Sequence, residues 1–367
     1  MILMVPPYMD KCIKVTKQSK VDMQRKTLIA TFDYELFFGK KWGTVELSIF
    51  RTTRNLLPIL KSTGATVVFF VDAGMLLYYF KESPSIHNKL CDHLLLLRDQ
   101  GHRIDFHLHP NWYARLNGLG RNGKEPVFYH EFVEEYSDQD LKRYFKQAYN
   151  HLFNVLKPSS NMSPIIAFRA AAWSYTPQHL VSEILTNLNI PIDSSVCPGI
   201  SLDWAKMDFT NSPTSSAWSY SGGPESKDDN GPLIEAPIAS TTIPRRLRLK
   251  DYLSRANNLK RWENSADGQG YATSNSKFLS KLSMVKSLIL NHPIALDSDR
   301  MLPETFEYLA SKWCKIANTS FAVSVGHNKF LSNNTIDLIS YMSQKDWIIR
   351  HDNWKLVHEA FSKEEKA

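Results

Sequence analysis

Short apolar runs rich in β-branched residues recur along the chain, each followed by a stretch with helical spacing. Thr27–Asp33, Thr66–Val71, His102–His107, Ile165–Phe168, Ile190–Ser194, Leu233–Ile238 and Phe321–Val325 read as buried strands, and Trp347–Arg350 as a short last one. Leu47, Phe50, Arg54, Leu57 and Leu60 recur at helical intervals and stop at Gly64. Further helices are expected over 85–99, Asp138–Leu156, Pro177–Leu188, Phe278–Leu290, Pro303–Ile316 and Thr335–Met342. Strands alternating with helices imply a parallel sheet covered by helices.

Within that pattern the polar residues are not scattered. Asp33, His107, Arg169, Asp193 and His327 each fall at or just past the end of an expected strand. A doubly wound open sheet gathers its ligand at one switch point, whereas a (β/α) barrel collects side chains from many strand ends. The expected fold is therefore α/β, a (β/α) barrel with its site at the C-terminal rim. Residues 1–25 lack periodicity and read as a flexible leader. A single domain is expected over 26–355, with an insertion at about 199–298 and a charged tail at 356–367. Residues 110–135, rich in Gly, Asn and aromatics, are too long for an ordinary barrel loop and read as a substrate-facing excursion.

Composition narrows the setting. At 367 residues, with 43% hydrophobic and 22% charged residues, core material is ample for a globular protein. The net charge of +7 is mild and spread out, so no nucleic-acid partner is expected. Its densest patch comprises Arg245, Arg246, Arg248, Lys250, Arg255, Lys260 and Arg261. Two readings of that patch stay open: a solvated helix face, or a surface for phosphate or peripheral membrane contact. Cys12, Cys91, Cys197 and Cys314 form no CxxC pair and read as free thiols in a reducing compartment. No stretch reaches the about 18 apolar residues of a membrane helix, and Met1–Tyr8 lacks the flanks of a signal peptide. A cytoplasmic location is the expectation.

The candidate chemistry lies in Thr31-Phe32-Asp33-Tyr34-Glu35 and Asp105-Phe106-His107-Leu108-His109-Pro110. Alternate residues of a strand share a face, so Asp33 lies with Glu35 and His107 with His109. Two carboxylates and two imidazoles on one rim suit a divalent metal with a general base beside it. The same residues also fit a hydrogen-bonded loop and a solvated turn. Asp33, however, lies among Phe32, Tyr34, Phe37 and Phe38, where an unpaired charge is costly. Arg169 reads either as a partner that keeps a carboxylate ionised or as an ion pair tying two strands. His327 reads as an acid titrating near neutrality or as a core-edge histidine, and Gly326 beside it signals a close backbone approach. Trp112, Trp173 and Trp42 suit stacking on a sugar ring or simple packing.

The segments ATFDYELFFG, ATVVFFVDAG, GHRIDFHLHPNW, AFRAAAWSY, PIDSSVCPG and SVGHNKFL follow in order across roughly 25–330. Together they resemble the polysaccharide deacetylases of carbohydrate esterase family four, the NodB homology domain. The opening segment resembles a WbmS-like branch found in bacterial O-antigen and capsule clusters. The resemblance implies a distorted (β/α) barrel of about seven strands and metal-dependent hydrolysis of an N- or O-acetyl group on a sugar. It implies a divalent cation, Zn²⁺ or else Co²⁺ or Ni²⁺, held by Glu35, His107 and His109. It makes Asp33 the general base, Arg169 the residue that holds and tunes it, Asp193 a supporting aspartate and His327 the general acid. The implied partner is an acetylated saccharide, nucleotide- or lipid-phosphate-linked, with Trp112 and Trp173 as ring-binding candidates.

The pattern also departs from that family. Its adjacent Asp-Asp pair is here Asp-x-Glu, and its His-x-x-x-His is contracted to His-x-His. Ala171 and Ala172 replace a Gly-Gly pair, and Asn328 stands where the branch has proline. These changes leave two alternatives: an inactive saccharide-binding or scaffold relative, or an amidohydrolase for a non-sugar amide.

Overall fold

A computed structural model describes residues 25–38, 41–117, 137–156, 165–270 and 292–351, together with Trp354 and Val357. The expected leader (but for Arg25), most of the 110–135 excursion, the Phe278–Leu290 helix and all but Val357 of the expected tail lie outside the described residues.

The alternation of strand and helix produces a mixed α/β fold around a parallel sheet. β1 (Thr27–Tyr34), β2 (Val68–Asp72), β3 (Arg103–Leu108), β4 (Ala167–Ala170) and β5 (Ile192–Asp193) pair side by side in chain order, all parallel. Two short strands, β6 (Ser201–Leu202) and β7 (Met207–Asp208), form a separate antiparallel pair. β8 (Trp218–Tyr220) runs antiparallel to β9 (Leu233–Glu235), and β9 is parallel to β5. A further small ladder joins β10 (Ser240–Thr241) to β11 (Ile294–Ala295). On the other side of β1 stand β12 (Phe321–Ser324) and β13 (Ile348–Ile349), both parallel to it.

The expected barrel is only loosely realised. Among the described residues no ladder joins β9 to β12; a single bridge, Ile238 to Val323, spans the gap, with Ala239 N–H donating to Val323 O at 2.9 Å. Several strands are shorter than their apolar runs: β5, β9 and β13 pair over two or three residues each. The first part of the expected insertion contains β6, β7 and β8, and Trp218 and Tyr220 of β8 are fully buried. The helix Ala73–Glu82 was not expected, although Asp72 separates its apolar start from the β2 run. Its N-cap Asp72 marks the boundary, accepting from Gly74 N–H at 3.2 Å. The basic stretch forms the helix Arg245–Asn257.

Alternation along each strand divides the burial in two. Leu28, Ala30, Phe32 and Tyr34 pack outward against the helices in the larger core. Ile29, Val68, Phe70, Ala167, Ile192, Ile234 and Val323 form a second cluster. Thr31, Asp33 and Arg169 share parity with Ile29 and Ala167, so the same face turns from apolar to polar toward the strands' C-terminal ends. No described helix is long and apolar enough to cross a membrane.

Candidate active site

β1, β3, β4 and the end of β12 deliver the site. His107 lies opposite Arg169 in the β3–β4 ladder, and Asp33 bridges to His327, with Asp33 N–H donating to Gly326 O at 2.8 Å. Gly326 is required there: a Cβ would fall 2.2 Å from Ser298 Oγ and 2.9 Å from the Phe32 ring.

Glu35, His107 and His109 converge as a buried group. His107 Nε2 lies 3.1 Å from Glu35 Oε2, and His109 Nε2 contacts the same oxygen. His107 Nδ1–H donates to Arg169 O at 2.8 Å, which aims Nε2 at the centre. Phe38 stacks on His109 with 4.0 Å between centroids. Behind it, Asp72 accepts from His109 N–H at 3.3 Å and from Trp112 Nε1–H at 2.5 Å.

Burial alone would raise the Glu35 pKa. Lys329, His109 and the hydrogen bonds from both imidazoles outweigh it and hold the carboxyl well below the usual range. Lys329 Nζ donates to Glu35 Oε1 at 2.5 Å and to Leu36 O at 3.2 Å. The imidazoles diverge. Burial lowers both, but the Glu35 hydrogen bond and the charges of Asp33, Glu35 and Asp72 raise His107 to about 9, while His109 stays below its ordinary value.

The donor set fits a divalent cation. One carboxylate oxygen and two imidazole nitrogens within 4.8 Å of one another are three protein ligands, the number found in catalytic zinc sites that keep a position open. Glu35 turns its other oxygen to Lys329, so one carboxylate serves both.

Asp33 faces a different partner. Arg169, fully buried, donates from Nη1 to Asp33 Oδ1 at 2.8 Å and to Thr31 Oγ1 at 2.7 Å. Its Nε donates to Ser194 O at 2.9 Å, and its guanidinium lies 4.2 Å from the Phe70 ring centroid. One arginine thereby ties β1, β4 and the end of β5 while neutralising a buried carboxylate. His327 completes the rim. Its Nε2 is 3.7 Å from Asp33 Oδ2 and 3.9 Å from Glu35 Oε1, and its Nδ1 is 2.7 Å from Asp299 Oδ2. Burial pulls His327 down, but Asp299, then Asp33 and Glu35, raise it above its ordinary value.

Asp33, Glu35, His107, His109, Arg169 and His327 therefore meet in one place. Asp193 does not touch them. It is a buried neighbour of Glu235 across β5 and β9, and accepts from Ser195 Oγ–H at 2.6 Å, while Arg169 is held by Ser194 instead. The β4–β5 register explains this: Asp193 is opposite Phe168, one residue short of Arg169. Trp112, expected at the rim, is wholly buried against Asp72, Trp42 and Tyr78, so it presents no open face to a ring. Trp173 is half-buried and lines a cavity. It follows Ala172, and both have left-handed backbones (φ 58° and 49°), a conformation costly for a residue with a Cβ.

Three participants were not found from the sequence. Asp299 sits in the turn Asp297-Ser-Asp-Arg300, with no periodicity to mark it. Lys329 was visible only as the last letter of the HNK segment. Asp72 closes the apolar run Thr66–Val71 as Asp33 closes that of β1, and that signal could have found it.

Comparison with known proteins gives distant likenesses only. No family model matches the chain, and no curated protein does. A Mycobacterium smegmatis structure assigned as a polysaccharide deacetylase aligns at 12% identity and a TM-score of 0.46, over 93% of this chain and 92% of that one. Peptidoglycan deacetylase PdaC from Bacillus subtilis aligns at 11% identity and a TM-score of 0.37, over 93% and 94%. Superpositions this loose assign no role to any residue here.

Proposed function

We propose that this chain is a metal-dependent deacetylase that hydrolyses an N- or O-acetyl group on a saccharide used in surface-polysaccharide assembly. The observation that carries the reading is the convergence of Glu35, His107 and His109 beside two further pairs, Asp33–Arg169 and His327–Asp299. Bound there, a divalent cation, with Zn²⁺ the first choice, would polarise an acyl carbonyl and acidify water. Glu35 Oε2 and the two Nε2 atoms would hold it, and both imidazoles must be neutral to do so.

The other residues then have separable tasks. Asp33, within reach of both Arg169 and His327, is placed to take the proton of an attacking water. Arg169 fixes that carboxylate through a direct ion pair and offers it no proton. His327, oriented by Asp299 through Nδ1, presents Nε2 to the same space and can return a proton to the departing nitrogen or oxygen. This assignment makes Glu35 the ligand and Asp33 the base.

The decisive experiment measures acetate release from acetylated amino sugars by chelated protein reloaded with Zn²⁺, Co²⁺ or Ni²⁺. Release that depends on the metal and disappears in Asp33→Asn supports the proposal; release unaffected by chelation or by Asp33→Asn refutes it. One observation favours a second reading, a saccharide-binding relative without activity: the Lys329 ammonium already neutralises Glu35. Elemental analysis separates the two, since the enzyme should hold one equivalent of divalent metal that chelation removes, and the inactive relative none.

A further inference from the structure

Next to the candidate site lies a cavity of about 650 Å³, within the range of small-molecule sites. Three arginines, Arg248, Arg255 and Arg300, line it together with Trp173 and Tyr252. Two aspartates, Asp251 and Asp297, are also in its walls, and both are already engaged. Asp251 Oδ1 accepts from Leu302 N–H at 3.0 Å and from Thr305 Oγ1–H at 2.9 Å. Asp297 Oδ1 accepts from Asp299 N–H at 2.8 Å, and its Oδ2 lies 3.6 Å from Arg300 Nε. The guanidinium charges thus outnumber the carboxylates.

Arg255 and Arg300 sharpen this excess. Arg255 Nη1 donates to the backbone oxygen of Arg300 at 2.9 Å, so the two residues meet at one end of the cavity. Burial first, and the Arg300 charge second, push the Arg255 pKa down; Asp251, Asp297 and Tyr252 oppose this only in part, and three guanidinium groups still face two carboxylates in the walls. Planar guanidinium forks match phosphate oxygens, and aromatic faces such as Trp173 and Tyr252 suit a sugar or base ring. The cavity is joined to the chemistry by its own wall: Asp297, Arg300 and Met301 line it, and Asp299 in the same turn holds His327.

We infer that this cavity binds the phosphate group of a glycosyl phosphate, so that the acetylated sugar arrives on a phosphate or diphosphate carrier. The inference rests on the deacetylase reading for the sugar's acetyl group, while the anion site itself is testable without it.

The test starts with calorimetric titration of the full chain by inorganic pyrophosphate. Saturable binding is expected, weakened at least about ten-fold by Arg255→Gln with Arg300→Gln, each lost charge-assisted hydrogen bond accounting for a factor of that order. Arg300→Gln alone, at an exposed side chain, should weaken it in the same direction without endangering the fold. Arg245→Gln with Arg246→Gln, exposed positions on the same helix, and His107→Ala should both leave it unchanged. Absence of saturable binding, equal losses in the two arginine pairs, or loss only in His107→Ala overturns the site.

Kinetics supply the second arm: kcat/KM for acetate release from N-acetylglucosamine, its 1-phosphate, its uridine diphosphate and its farnesyl diphosphate. A preference for the phosphorylated sugars that the Arg255/Arg300 variant removes through KM supports the inference, and the better diphosphate identifies the carrier. Equal turnover of neutral and phosphorylated sugars overturns it while sparing the deacetylase reading. Pyrophosphate binding through the arginines with no acetate from any sugar does the reverse.

Discussion

Two buried carboxyl pairs stand a few strands apart in this protein, and they differ in everything but burial. Asp33 and Glu35 each touch a cation, Arg169 and Lys329 respectively, and Glu35 has two imidazoles besides. Asp193 and Glu235 touch none. Burial raises Asp193 to about 6, and burial together with the Asp193 charge raises Glu235 well above its ordinary value. Each keeps one oxygen, Asp193 Oδ2 and Glu235 Oε2, that no N–H or O–H reaches, a need that a proton held between the two carboxyls meets. The first pair is suited to ligation and proton abstraction; the second is a buried carboxyl pair that links β5 to β9. Burial does not make a carboxylate reactive; the cation placed against it does.

The largest effect should come from removing the cation. Arg169→Met leaves Asp33 buried beside an apolar side chain, and urea unfolding should show a loss of about 3–5 kcal/mol along with activity. His107→Ala should next remove the metal, costing more than the roughly 10–100-fold in affinity typical of an outer partner, read by equilibrium dialysis with Zn²⁺. Survival of full metal affinity in that variant would erase the distinction between the pairs. Asp299→Asn keeps the shape but weakens the hold on His327, and kcat should fall about ten- to a hundred-fold with little change in metal content.

The second pair can be tested through pH. Both folded-state carboxyls have raised pKa values, so the folded chain keeps protons that the unfolded chain has released. Their contribution to stability is complete below about pH 4; the Asp193 share is lost as pH rises through about 6, and the Glu235 share as pH rises through its own raised pKa. Glu235→Gln supplies a permanent N–H donor, so it should stabilise relative to the parent at pH 8 by on the order of 2 kcal/mol more than at pH 4. Taking the difference between variant and parent cancels the buried neutral histidines, His93 and His102, each lowered to about 4 chiefly by burial. A difference that does not change with pH would show that Asp193 and Glu235 share no proton. The smallest effect is expected at Ala172, where Ala172→Gly should stabilise by about 1 kcal/mol in thermal unfolding, since its left-handed backbone is costly for a Cβ.

The strand periodicity located the first pair well. Asp33, His107, Arg169 and His327 were visible because each is a polar residue closing an apolar run, and the period of two put them on one face. Asp193 met the same criterion and yet faces elsewhere, because a shift of one residue between β4 and β5 sets Ser194 rather than Asp193 beside Arg169. Register is a property of paired strands, and no single strand displays it. Trp112 was misplaced for a related reason: the turn into Asn111–Leu116 sends its indole inward to Asp72.

The sequence by itself determined the alternation of strand and helix and the parity of each strand, since these follow from local spacing of apolar residues. Only the tertiary structure decided which charges touch. Lys329 reaches Glu35 across nearly the whole length of the chain, and Asp299 meets His327 from a turn without periodic pattern. Cations and carboxylates act over a few ångströms, and distances of that kind are set by packing and register.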